Sequence, residues 1–480
     1  MNYSNLVIGI ILIPVVGAFC LPLAGRVSIR LRNILSFAFI LSSFILSLKL
    51  IPLVLSGQTI LISRQFALGI NFTLLADSLA VFMACVSSLI SAVIVLYSFG
   101  YISHYENQNE YYCMVTLFLG SMMGLIFSAN LILLYVFWEI TAITSWRLIG
   151  FFRDKPYVLK ADKAFLVTVF GSLVMLIGFI SIYQQVGSFD LPIIRGAFRG
   201  QVIANLTVAL ILVGILSKSA TLPFHTWLPD AGVAPSPVTA LLHAAVLVKI
   251  GVYVFARIFI VNITPDVLWH TVVPLIAGLS AIVAAGAALI ETDLKRIIAY
   301  STVSQIGFIF FGLAIGNEIA TLGALLFILM HGLAKGGLFL CAGIVEQNTK
   351  SKDITKLGGL IYTMPVTAVA FLFCSFSIMG IPPFGGFFSK YLVFSGALAA
   401  ERFWIVLVYL ICAFMTIIYL FRVFNLVFLG KPNIQAKEGS PVMVASVAIL
   451  GFLSLAAGVM IYYPYKFALG TVWQMLGVVK

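Results

Sequence analysis

The stretch that decides the fold runs from Ile211 to Arg257: ILVGILSKSATLPFHTWLPDAGVAPSPVTALLHAAVLVKIGVYVFAR. With its lead-in from Leu206, it holds two apolar segments around a centre rich in Pro and Gly. Lys218, His225, Asp230, His243 and Lys249 lie inside or against those segments. Insertion scales put a lysine at mid-membrane at roughly 3 kcal/mol unfavourable. Such side chains are therefore either paired inside a protein bundle or placed along a wet path. The pattern predicts a span over Leu206–Leu222 broken by Pro223, and another over Val238–Phe259 behind Pro235 and Pro237. The run between them is apolar and aromatic for a loop. It is expected to dip back into the protein, because irregular backbone at membrane depth persists only where protein buries it or where it lines a cavity.

Composition sets the class. The chain has 480 residues, of which 62% are hydrophobic and 9% charged, and its mean hydropathy is +1.14. Soluble domains carry about 25% charged residues, so the chain reads as a polytopic membrane protein. Its net charge is +12, but the basic residues are scattered. No basic run with interleaved aromatics points to nucleic acid. Cys20, Cys85, Cys113, Cys341, Cys374 and Cys412 form no CxxC pair and read as small buried apolar side chains. No P-loop, no HExxH and no Asp/Glu/His cluster is present, so neither cofactor nor metal is expected.

Working outward from the first stretch, apolar runs predict about fourteen spans. They are Leu6–Pro22, Ile34–Leu50, Leu74–Tyr101, Tyr111–Ser128, Asn130–Phe151, Ala164–Tyr183, the two already described, Val272–Ile290, Ile297–Ile315, Ile319–Ile344, one starting near Met364, Phe403–Phe428 and Met443–Tyr463. The segment Pro52–Asn71, with Arg64, is mixed, and Arg153 to Lys163 reads as a charged turn. The twelfth span meets a second break, MGIPPFGGFFSK, where Pro382 and Pro383 remove backbone donors and Gly385 and Gly386 loosen the helix. Matching breaks in helices seven and twelve predict two five-helix units, inverted relative to each other because five is odd. The expected divisions are 1–105 for the first three spans, 106–260 and 261–430 for the two units, and 431–480 for the last span. Fourteen Lys and Arg residues, from Arg26 to Lys437, fall on one set of connections and seven, from Lys49 to Lys480, on the other. By the positive-inside rule both termini lie outside a cell membrane.

The buried charges are the candidate functional residues. Glu139 stands near the middle of span five, and Lys218 just before the first break. Desolvation and a neighbouring opposite charge pull a carboxylate in opposite directions, and a site poised between them can take and give a proton. His243 and Lys249 are six apart, so a straight helix does not put them on one face, although water could join them. His331 and Lys335 are four apart and share a face. Lys390 follows the second break. Each of these could also be a structural ion pair or a satisfied core residue. His225 and Asp230 could gate or hydrate the first break. Asp77 reads as an interfacial carboxylate or a helix-start charge. Arg147 reads as a surface anchor or as a partner of the carboxylates.

Five stretches carry a resemblance: LLYVFWEITAITSWRLIGFF, LVGILSKSATLPFHTWLPDAGVAPSPVTALLHAAVLVKIGVYVFAR, DLKRIIAYSTVSQIGFIFFGLAIG, LMHGLAKGGLFLCAG and GIPPFGGFFSK. Together they resemble the antiporter-like proton-translocating subunit family. That family holds the large membrane subunits of NADH:quinone oxidoreductase, of Mrp-type sodium/proton antiporters and of energy-converting hydrogenases. The resemblance implies that Glu139 and Lys218 form the coupling pair of a first half-channel and that His243 and Lys249 connect it to the centre. It implies that His331 and Lys335 make the central axis, with Lys390 at the exit side. It also implies fourteen core spans. Val169 and Ser172 depart from the pattern of the largest member, and with its end at Lys480 the chain is not expected to carry the long lateral helix of that member.

The leading expectation is a non-redox, proton- or Na+/H+-translocating subunit of a respiratory or energy-converting oxidoreductase complex. Its partners would be neighbouring antiporter-like membrane subunits, a peripheral redox module and the lipid bilayer, with H+ or Na+ as the transported ion. The alternative is a subunit of a Mrp-type antiporter with no redox partner. An alternative of another class is a structural membrane scaffold.

Overall fold

The computed structural model describes residues 3–65, 71–432, 434 and 436–478; Lys480 lies outside them. Among the described residues, twelve helices are long and apolar enough to cross a membrane. The chain opens with α1 (Tyr3–Val27) and α2 (Ile29–Leu55), then a hairpin of β1 (Ile60–Gln65) and β2 (Asn71–Ala76). Then come α3 (Ser78–Tyr101), α4 (Gln108–Phe127), α5 (Leu131–Ile149), α6 (Lys155–Val186), the short α7 (Leu191–Ala197) and α8 (Asn205–Lys218). The first break contains α9 (Trp227–Asp230). Next comes an interrupted helix made of α10 (Ser236–Ala240), a π turn over Leu241–Ala245, α11 (Leu247–Phe255) and a second π turn over Ala256–Asn262.

The second part is α12 (Trp269–Ile290), α13 (Leu294–Ile315), α14 (Glu318–Thr349), α15 (Pro365–Met379), α16 (Gly385–Ala399) and α17 (Phe403–Phe428), followed by α18 (Pro441–Val459) and α19 (Tyr462–Leu476). Local chemistry sets these limits. Asp77, Asn130, Asp293 and Asn317 cap α3, α5, α13 and α14 by accepting backbone N–H groups in the first turn. Gly380 ends α15 with φ +82°, a left-handed conformation that costs glycine least.

The outside of the bundle is apolar. Phe19, Leu166, Phe170, Phe414 and Phe452 are each more than half exposed, on four different helices. An apolar belt of this extent is not compatible with water on all sides, and the protein is a polytopic membrane protein. Inside it, α13 and α14 are almost wholly enclosed, and α14 packs against α13, α15, α16 and α18. That central placement puts its polar face at the axis of the molecule.

Several expectations need correction. The mixed segment Pro52–Asn71 contains β1, which pairs with β2 from Ile60↔Ala76 to Gln65↔Asn71, so β2 takes residues expected at the start of the third span; 66–70 lie outside the described residues. The hairpin is fastened by Asp190, which accepts from Asn71 Nδ2 at 2.7 Å, Thr73 Oγ1 at 2.9 Å and Asn130 Nδ2 at 2.9 Å. The expected charged turn is helical from Lys155 on, because a Pro in the first turn after Asp154 favours helix initiation. The final span stops at Val459, and α19 is a separate helix that apolar periodicity did not predict. Cys20 is exposed, not buried.

Candidate functional site

Lys218 is the last residue of α8 and has no exposed surface. Its Nζ donates to the carbonyl of Trp138 at 3.2 Å and lies 5.3 Å from the centre of the Trp138 ring. Beyond it the chain turns away into the break, held there by Trp227, whose Nε1 donates to Ser217 O at 3.0 Å. Glu139 follows Trp138 on α5 and interacts electrostatically with Lys218 without a direct ion pair. Its Oε1 is buried with no hydrogen-bond partner. Tyr135 interacts with both Glu139 and Ser172, so one of the two departures on the sixth span lines this site.

His243 sits in the first π turn, and Lys249 lies beyond it. The wider turn and the irregular Val246 (φ −126°, ψ −74°) bend the helix, so the straight-helix argument does not apply. The Lys249 ammonium folds back to the carbonyl of Ala244, one residue past His243. Both ring nitrogens of His243 are buried and unpartnered, as are both of His331 on α14. Phe339 stacks on His243 at 4.4 Å between ring centres. A side chain at Gly332 would overlap Lys249 Nζ, so the glycine beside His331 is what lets α14 approach the lysine.

Lys335, one turn further along α14, donates to Ser301 Oγ at 2.6 Å and to Ile298 O at 3.2 Å. Ser301 also accepts from Tyr419 at 2.7 Å, Tyr419 reaches Thr416 at 3.3 Å, and Gln305 Nε2 donates to Thr416 Oγ1 at 3.1 Å. Lys390 donates to Ile378 O at 2.7 Å, a carbonyl freed by the end of α15, and faces the rings of Phe308 at 4.8 Å and Phe327 at 5.6 Å. Lys218, Lys249, Lys335 and Lys390 therefore all rest on main-chain carbonyls.

The first break is held by charge. Asp230 pairs with Lys163 at 2.7 Å and with Arg296 at 2.8 Å, and Arg296 also pairs with Glu291 at 2.9 Å. Burial pushes the Glu291 carboxyl up, but Arg296 and the amides of Asp293 and Thr292 outweigh it and hold it below the usual carboxylate range. His225 lies in the same segment with Nδ1 buried and unpartnered. Arg147 is the partner of Glu110, which resolves its two readings toward a carboxylate partner. A polar cavity of about 650 Å³ opens beside this region, lined by Tyr101, Lys295, Glu346, Lys352 and Glu438.

Of the seven residues singled out in the sequence, Lys218, His243, Lys249, His331, Lys335 and Lys390 are buried and Glu139 is part-buried. Glu139 and Lys218 interact with each other, and His243, Lys249, His331, Lys335 and Lys390 form an interacting group running from the interrupted helix through α14 to α16. Sequence reasoning missed Ser301, Gln305, Thr416 and Tyr419. The polar run STVSQ on an apolar span was the available signal, since each hydroxyl or amide there needs a partner inside the bundle.

A membrane bundle with a file of buried ammonium and imidazole groups and two interrupted helices defines the class to which the comparisons point. The family model described as NADH:quinone oxidoreductase/Mrp antiporter, TM matches residues 128–416, and one for the N-terminus of chain 5 of complex I matches residues 65–112. The chain belongs to this NADH:quinone oxidoreductase/Mrp antiporter family. It is 36% identical over 429 residues to a Na(+)/H(+) antiporter subunit of Alkalihalophilus pseudofirmus, covering 82% of this chain and 53% of that protein. It is 35% identical over 488 residues to a Na(+)/H(+) antiporter subunit of Staphylococcus saprophyticus, covering 93% and 60%. The chain thus spans a little over half the length of these curated relatives. The Mrp complex from Dietzia sp. DQ12-45-1b shares the fold at a TM-score of 0.89 and 21% identity, over 99% of this chain and 98% of that one. An archaeal membrane-bound sulfane sulfur reductase shares it at 0.87 and 24%, over 98% and 97%.

Proposed function

We propose that this chain is the ion-translocating membrane subunit of a Mrp-type multisubunit Na+/H+ antiporter. The curated antiporter relatives favour this over the expected subunit of a redox complex, for which the reductase likeness supports the fold alone. The observation that carries the reading is the set of enclosed ionisable groups: the part-buried Glu139 beside the buried Lys218, and the buried group of His243, Lys249, His331, Lys335 and Lys390. A buried charge is costly unless it is solvated by protein dipoles or water, and three of these groups keep unpartnered polar atoms in the interior.

In this reading Glu139 and Lys218 are the first proton-exchanging pair. The two histidines relay between Lys249 and Lys335, and Lys390 passes the proton toward the far side. Water completes the gaps, for which unpartnered Nδ1 and Nε2 atoms are suitable anchors. The polar cavity at Lys295 and Glu346 is the inner mouth. Among the described residues, twelve long helices plus the two short apolar helices Asn205–Lys218 and Pro365–Met379 support fourteen spans, an even number that leaves both termini on one side. The excess of Lys and Arg on the opposite connections supports the outside for that side, and the matching breaks support two inverted five-helix units. Neighbouring membrane subunits complete the assembly.

The test is ion exchange by the purified, reconstituted assembly. Lys218→Ala is expected to abolish Na+-driven proton movement while the complex still co-purifies. Unchanged exchange would remove Lys218 from any central role. Iron–sulfur absorbance in the purified complex would return the reading to a redox-coupled subunit.

A further inference from the structure

Arg257 is 1% exposed and belongs to none of the groups above. Its Nη1 donates to Asp77 Oδ2 at 2.5 Å, its Nη2 to Asp77 Oδ1 at 2.7 Å and its Nε to the Tyr253 hydroxyl at 2.9 Å. Tyr253 donates onward to the carbonyl of Ile126 at the end of α4. Asp77 also accepts from Ala80 N at 2.9 Å as the cap of α3.

Lys249, Tyr253 and Arg257 recur every four residues and so lie along one face of their helix. That face begins where Lys249 meets Gly332 and rises to the end of the bundle away from the Lys295–Glu346 cavity. A matching stripe runs along α3, where Asp77, Ala80, Ala84, Ser87 and Ser91 alternate at three and four residues. The hydroxyls of Ser87 and Ser91 are buried without partners. Ile90, between them, packs at Gly332 beside the Lys249 ammonium. The stripe on α3 therefore starts at the depth of Lys249 with orphaned hydroxyls and ends in a carboxylate. α19 covers that end, with Gln474 Oε1 accepting from Ser78 N at 2.6 Å.

We propose that Asp77, Arg257 and Tyr253 are a gated outlet from Lys249, by which protons leave the axis without passing Lys390. The inference rests on the ion-translocating reading above. Lys249 gives up one proton as its ammonium becomes an amine. The proton adds to the Asp77 carboxylate, and Arg257 loses its anionic partner while keeping Tyr253. The neutral acid then releases the proton to water at the far end, and the carboxylate takes Arg257 back. One proton has crossed and every group is restored once Lys249 is reprotonated from the axis.

The test uses the assembled complex in liposomes with a pH-sensitive dye. Asp77→Asn combined with Arg257→Gln keeps the helix cap and leaves no unpaired charge, but it removes the proton acceptor. Proton movement is expected to fall at least about tenfold, and Asp77→Glu alone to stay within about threefold of the parent because it keeps a carboxylate. A double variant that assembles and moves protons at the parent rate overturns the outlet. Where the double variant does not assemble, Tyr253→Phe decides. A several-fold slower rate supports the outlet, and the parent rate overturns it. Lys218→Ala in the same preparation separates the two readings. If it stops transport while the outlet variants do not, only the outlet fails. If it changes nothing, the translocation reading fails first.

Discussion

The ammonium of Lys249 occupies the space where a side chain on residue 332 would begin: any Cβ added to Gly332 would overlap Lys249 Nζ. The lysine and the glycine come from different helices, eighty-odd residues apart, and each fixes what the other can be.

Gly332→Ala tests that relationship. The added methyl would also meet Ile90 Cδ1 at 2.5 Å, so α14 must shift or the lysine must leave Ala244 O. Overpacking of this kind costs about 1–3 kcal/mol, and exchange activity is expected to drop more than stability. Gly196→Ala, where nothing lies within 4 Å, is the control. Equal activity of the two variants would show that the position of Lys249 does not matter.

Ser301→Ala removes an acceptor shared by Lys335 and Tyr419. Lys335 keeps Ile298 O, so folding should survive with a loss of about 1 kcal/mol. Transport through the second half should slow several-fold. An unchanged turnover with a lowered melting temperature would make Ser301 a purely structural residue.

Asp230→Asn weakens the bonds from the first break to α6 and α13 at once. These pairs are partly exposed, so the stability cost is small, about 1 kcal/mol. The larger expected effect is a looser break beside Lys218, read as faster hydrogen exchange of residues 219–235. The same exchange rate in both proteins would count against a latch.

The Glu291 carboxyl is held low by Arg296 and local amides. Its stabilising effect is therefore complete above the ordinary carboxylate value of about 4.3 and is lost as pH falls through the depressed folded value. Because the group is partly exposed, the effect is at most about 1 kcal/mol. Thermal unfolding of the protein in detergent should show a shallower acid decline for Glu291→Gln than for the parent, and superimposable curves would rule the group out.

Cys20 alone among the six cysteines is exposed. Because Cys20 lies in the span Tyr3–Val27 next to the belt residue Phe19, a small membrane-permeant maleimide should label it in the folded, detergent-solubilised protein and reach the other five only after denaturation. Early labelling of Cys341 or Cys374 would contradict the enclosed packing of α14 and α15.

Much of this was legible because membrane helices write their constraints plainly. Pro223 and the Pro382–Pro383 pair announced the two breaks, and the four-residue spacing of His331 and Lys335 placed both on one face. The rest depended on three-dimensional facts with no local sign. Nothing in LLHAAVLVK distinguishes a π turn from an α-helix, so the fold-back of Lys249 could not be foreseen. Asp77 and Arg257 are one ion pair separated by 180 residues, and each alone reads as an end-of-helix charge. The hairpin before Asp77 was hidden because two six-residue strands carry too weak a signal beside long apolar runs.

Lys218, Lys249, Lys335 and Lys390 all lean on peptide oxygens. No codon change can delete such an oxygen, so neither drift nor point mutagenesis can remove these acceptors one at a time. Retuning any of the four sites would instead require reshaping the backbone, through a shifted proline, a gained or lost π turn or a one-residue insertion. Variation among related chains at these positions should therefore appear in helix geometry before it appears in side-chain partners.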